Sequence, residues 1–208
     1  MSAYTLLLLA DGRFPAGGHA HSGGLEAAVA AGRVRELPDL AAFLRGRLHT
    51  AGLVSAAFAA QACAGADTGW LDGELDARTP SPALRRASRA QGRALLRAGR
   101  TIWSLPTVDR DPHHPVALGV VAAAAGLTPA QAALTAAYGT VSGPASAAVR
   151  LLGLDPYAVH GLLAGLAAEC DAVAAQATTV DELPACSAPI LDIGSEIHAS
   201  WEVRLFAS

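Results

Sequence analysis

With 208 residues the chain is long enough to bury one hydrophobic core, and it is read as one domain, 1–208. It is 52% hydrophobic yet only 5% aromatic, so the core must be built from Ala, Leu and Val, a composition suited to closely packed helices. A formal charge of -3 gives no overall attraction to nucleic acid or to an anionic membrane, so neither is an expected partner.

All 15 basic residues are Arg. Cys63, Cys170 and Cys186 are far apart and form no CxxC pair, which argues against a disulfide framework or a zinc ribbon and for a reducing cytoplasm. The apolar run 6–10 lacks a basic flank and is followed by Asp11, so no export signal is read there.

Strand signals are absent, and the spacing predicts an all-α, single-domain bundle of roughly eight to ten helices with a loop-rich N-terminus and a short C-terminal tail. A short helix over 4–10 leads into a Gly-rich loop over 11–18. Ser22 is then placed to cap a helix that runs to about Ala31 and ends at Gly32. Residues 38–64 read as two successive helical segments, and 66–82 as a mobile connection with at most one short helix.

A helix over 82–103 sets Leu84, Leu95 and Ile102 on one face. Arg85, Arg86, Arg89, Arg93, Arg97 and Arg100 form a stripe on another, for which Asp67, Asp72, Glu74 and Asp76 are the expected internal counterions. Helices follow over 116–125, 129–151 and 156–177, the latter two opened by the cap-then-proline pairs Thr128-Pro129 and Asp155-Pro156. Residues 112–149 carry no Asp, Glu, Lys or Arg. Their bulk is Ala, with Thr128-Pro129 interrupting and Gly143-Pro144 kinking the run, so they read as buried helices rather than a membrane span. Small residues along 129–151 make that helix the expected centre of the bundle, and a last helix starts near Pro189.

No coherent active site emerges. The loop 15–26 has paired glycines but neither the Lys of a phosphate-binding loop nor a preceding strand. GxSxG is missing, and Cys170, between Glu169 and Asp171, should have its thiol pKa pushed up rather than activated. His19 and His21 form an HxH pair with two ligands where a zinc site needs three or four, so local packing is the expected role. His113-His114, with Asp109 and Asp111 upstream, could offer a weak transition-metal site, with helix capping or solvation the favoured reading. His49, His160 and His198 stand singly. A helical hydrolase lacks a nucleophile, and a DNA-binding regulator lacks a helix-turn-helix.

What the sequence does carry is an ordered set of blocks. Leu7, Leu9, Ala10, Pro15, Gly17, Gly18, Ser22, Gly24, Leu25 and Glu26 fit a pattern L-x-L-A-x-x-x-x-P-x-G-G-F-x-Y-S-x-G-L-E. Ser195, His198, Arg204, Leu205, Phe206 and Ser208 fit S-x-x-H-E-x-x-x-x-R-L-F-R-S. Residues 91–96, 114–119 and 141–150 add three internal blocks in the same order. In these the chain resembles the urease accessory protein UreF family, with His19, His21, Gly23, Ala199 and Ala207 departing from its pattern.

The resemblance implies a non-enzymatic, homodimeric all-α adaptor in the cytoplasm. With a UreD/UreH scaffold it recruits a UreG-type GTPase that delivers nickel to apo-urease. No cofactor is expected on this chain, since the GTPase handles nickel and GTP. Leu25 and Glu26 would serve the GTPase. Arg204, Leu205, Phe206 and Ser208 would serve the scaffold, in a tail that orders only on docking. The alternative is a nickel-binding metallochaperone acting directly through His19, His21, His113 and His114.

Overall fold

The computed structural model describes residues 3–108 and 111–208. In chain order its helices are α1 (Ala3–Ala10), α2 (Leu25–Ala30), α3 (Leu37–Arg47), α4 (Leu53–Cys63), α5 (Thr68–Ala77), α6 (Pro82–Arg100), α7 (His114–Ala124), α8 (Pro129–Leu152), α9 (Pro156–Gly165), α10 (Ala167–Thr179) and α11 (Pro189–Ala199). A 3-10 turn occupies Gly18–Ala20, and a π-turn, Leu48–Gly52, joins α3 to α4 without a break. No strand occurs among the described residues, and the all-α reading holds.

Local chemistry accounts for most of the starts. Thr128 accepts from the Gln131 amide while Gln131 returns a side-chain oxygen to the Thr128 amide, a reciprocal capping box ahead of Pro129. Asp155 accepts from Tyr157 N–H before Pro156, and Ser81 from Leu84 N–H before Pro82.

α8 is the central helix, packed on α3, α4, α7 and α10. Its buried Ala132, Ala133, Ala136, Ala137, Ala145, Ala147 and Ala148 let these neighbours approach closely. Gly139 and Gly143, which the sequence suggested for the same purpose, face open space instead. α4 and α7 approach so closely that a Cβ on Gly119 would run into the Ala59 carbonyl oxygen.

Pro144 lies inside α8 and has no N–H to give the Thr140 carbonyl one turn back. Arg47 Nε donates to that oxygen at 3.2 Å, so a side chain from α3 repairs the gap the proline leaves.

Several sequence expectations are corrected. Residues 66–82 hold the one short helix allowed for there, α5, capped by Asp67 on Trp70 N–H, but it is packed rather than loose, with Leu71 and Leu75 buried against Val54, Phe58 and Val116. Residues 38–64 do hold two successive helical segments, α3 and α4, joined directly by the π-turn. Residues 156–177 instead break at Leu166 into α9 and α10, bent by 45°. α6 ends at Arg100, leaving Ile102 half exposed beyond it. α2 starts only at Leu25, after left-handed Gly23 and Gly24, although Ser22 Oγ still accepts from Glu26 N–H at 3.2 Å.

Among the described residues no single helix is long and apolar enough to cross a membrane. Only the bent α9–α10 pair passes such a test jointly.

Candidate functional site

The two sequence blocks that lie farthest apart in the chain meet. Residues 200–208 run back across the loop that precedes α2, and the backbones pair: Ala207 N–H donates to Ala20 O at 2.7 Å and Ser22 N–H to Ser208 O at 2.6 Å. Ser22 Oγ adds a second donor to Ser208 O at 2.9 Å, and His21 Nδ1 lies 2.7 Å from Ser208 Oγ. The consecutive left-handed glycines, φ 62° and 88°, turn the chain from this pairing into α2, a conformation in which any side chain is strained.

Glu26, in the first turn of α2, is the hub. Its Oε1 accepts from Leu205 N–H at 2.9 Å, and its Oε2 accepts from Phe206 N–H at 3.0 Å and lies 2.9 Å from His198 Nε2. Both Glu26 and His198 are buried. Burial alone would raise the Glu26 carboxyl. The Leu205 amide, His198 and the Phe206 amide outweigh it and hold the group below the usual carboxylate range. Phe206 enters the core at 5% exposure, with the Arg150 guanidinium 5.8 Å from its ring centroid, and Trp201 packs on the His198 ring at 4.8 Å.

This geometry changes what the site residues do. Leu25 is fully buried and the Glu26 carboxylate is spent on the tail, so neither is presented at the surface in this conformation. The tail does not wait for a partner to order: it is docked, with Phe206 as its anchor, while Arg204 and Leu205 remain exposed and Ser208 is half-buried. The residue that sequence reasoning passed over is His198, taken as a single core or surface histidine. Its signal was its place in the tail block, opposite in the chain to the block that holds the carboxylate it meets.

The histidines are not assembled into a ligand set. His19 is exposed, His21 is turned to Ser208, and His113 Nε2 lies 2.9 Å from Asp76. Among the described residues no group of three His, Cys, Asp or Glu side chains is placed to hold a metal ion. Asp111 is engaged by Arg93 at 3.2 Å, and Asp109 lies outside the described residues. His113 is the residue preceding the first turn of α7, and Asp72 accepts its amide at 2.8 Å.

The arginine stripe is answered from within in part, by two of the four upstream acids expected to do so. Arg89 pairs with Asp72 at 2.8 Å and Asp76 at 2.7 Å, and Arg85 approaches Asp76 at 3.9 Å. Glu74 goes instead to Arg78, and Asp67 to its capping role. Burial first, then Asp171 and Glu169, push the Cys170 thiol up, as expected for an unreactive core cysteine.

Burial also carries a pH dependence. It lowers His114 to about 4, with His21 adding repulsion, and it lowers His21 and His113 as well. Between the ordinary value of 6.5 and about 4 the unfolded chain binds a proton on residue 114 that the folded chain refuses. Stability therefore falls as pH drops through that window. His114 alone should remove about 2 kcal/mol between pH 7 and pH 5. Denaturant melts at the two pH values should show it, and His114→Phe should flatten the difference. An equal loss in that variant would contradict the assignment.

Sequence comparison finds relatives along the whole chain. The UreF family model matches residues 34–167. A protein of Mycobacterium sp. (strain JLS) named urease accessory protein UreF is 51% identical, covering 98% of this chain and 98% of its own. Proteins of the same name from Mycobacterium marinum and Mycobacterium tuberculosis are 49% and 43% identical, covering 98% and 100% of this chain and 97% and 99% of their own. The likeness therefore extends past the matched model region to both the loop and the tail.

Proposed function

Because the chain belongs to the urease accessory protein UreF family, whose role is in urease maturation, we propose that it is a non-catalytic, cytoplasmic, homodimeric adaptor. With a UreD/UreH-type scaffold it recruits a UreG-type GTPase and supports GTP-dependent insertion of nickel into apo-urease. Nickel and GTP stay with the GTPase, and this chain holds no cofactor.

The observation that carries the reading is the loop and tail unit. It is ordered by Glu26 and Phe206 and leaves Val203 at 86% and Leu205 at 72% exposure beside Arg204. Aliphatic side chains held out on a fixed backbone cost little conformational entropy on docking, which suits a partner surface. Leu25 and Glu26 then contribute to partner binding by shaping this surface from beneath.

Deleting residues 204–208 should abolish scaffold capture in a pull-down while far-UV circular dichroism keeps its helical signal. Leu205→Asp, at an exposed position, should weaken capture without lowering the melting temperature. Unchanged capture by both variants would refute the assignment.

A further inference from the structure

A second surface lies beside α2. α2, α3 and the start of α11 enclose a groove of about 420 Å³ whose floor includes Ala27, Ala28, Val34, Phe43 and Leu191. Two arginines also line it, Arg33 and Arg47. Asp39 is the one carboxylate among the lining residues, and it is taken by Arg35, whose amide and Nε both donate to it at 3.0 and 3.3 Å.

Arg47 uses only Nε, on the Thr140 carbonyl, and neither it nor Arg33 has an ion pair among the described residues. The Arg47 guanidinium is packed tightly: a Cβ on Gly23 would stand 3.1 Å from its Cζ and 3.0 Å from Pro144 Cγ. This gives a physical account of glycine at that departure from the family pattern. Burial draws Arg47 down to about 10, which leaves it a cation at neutral pH.

The two properties of the groove select its occupant. A small free anion would leave the aliphatic floor wet. A purely aliphatic segment would cover unpaired guanidinium donors, a cost of several kcal/mol in general. We infer that the groove docks an aliphatic segment of a partner protein carrying an Asp or Glu, whose carboxylate pairs with Arg47 and Arg33. Ile190 and Ile193, half exposed on α11, extend the apolar contact beyond the rim. The inference rests on the adaptor reading, since the proteins of urease assembly are the partners in which the segment is sought.

The test uses the full chain with the purified scaffold, GTPase and apo-urease. Ala42→Glu, at an exposed position lining the groove, adds a carboxylate to the wall and leaves the Arg47 side chain itself in place. It should weaken one partner's binding by at least about tenfold, and Arg47→Met should do the same. A photo-crosslinker at residue 42 should then map to a partner stretch with an acidic residue among aliphatic ones. Wild-type binding that Ala42→Glu leaves unchanged overturns the inference alone. A crosslinked segment without Asp or Glu, or a second copy of this chain in the groove, does so too. A wild-type chain that binds none of the three proteins overturns the adaptor reading itself.

Discussion

Gly119→Ala is expected to destabilise the fold by about 3 kcal/mol, and Gly119→Val to prevent it from forming. The added Cβ meets the Ala59 carbonyl oxygen, with Ala62 Cβ at 2.5 Å and Cys63 N at 2.8 Å. Two of these three are backbone atoms of α4, so no rotamer change relieves the clash, and α7 must move off the helix it packs on most extensively with α6. The neighbouring buried alanines Ala56, Ala59 and Ala60 show that the α4 side is already reduced to its minimum. Urea denaturation reads the effect as a lower midpoint at unchanged slope. A midpoint equal to that of the wild type would mean that α4 and α7 do not cross this closely.

Glu26→Ala is the second large effect. It leaves the amides of Leu205 and Phe206 and the His198 ring without their acceptor in a buried place. Orphaned buried donors of this kind cost about 3–5 kcal/mol in sum once partial relaxation is allowed. Part of the loss is local. The tail should detach, so hydrogen exchange at residues 205 and 206 should accelerate more than in α8. Glu26→Gln keeps an acceptor oxygen but turns an amide N–H₂ toward donors, and should fall between the two. Slow exchange at both amides in Glu26→Ala would show that Phe206 holds the tail unaided.

How much of this the sequence revealed depends on the distance over which each feature is determined. Thr128-Pro129 and Asp155-Pro156 are local signals, complete within four residues, and their helices start where they indicate. The Ala-rich centre of the bundle was legible because small residues at helical spacing permit close packing whatever their partner.

α5 was legible as one short helix at most, not as a packed one. Its Gly69 and Gly73 suit a loose connection, and what holds it is tertiary: Leu71 and Leu75 buried against α4 and α7, and Asp72 bridged to Arg89. The break at Leu166 had no Pro or Gly–Pro pair to announce it.

At the site the split is similar. The loop and tail blocks could be recognised, and Asp72 and Asp76, though not Asp67 or Glu74, were rightly matched to the arginine stripe. The burial of Leu25 and Glu26, and the union of Glu26 with His198 and the tail, depend on contacts more than 170 positions apart in the chain, which no periodicity encodes. Arg47 was equally silent, because its role follows from a carbonyl that Pro144 leaves free on another helix.

The adaptor reading comes down to whether this chain links two proteins that do not otherwise associate. The decisive measurement is retention of the GTPase on immobilised scaffold protein, with no addition, with the full chain, and with the chain lacking residues 204–208. The account predicts retention only with the full chain. Equal retention of the GTPase in its absence, or full retention with the shortened chain, would contradict it.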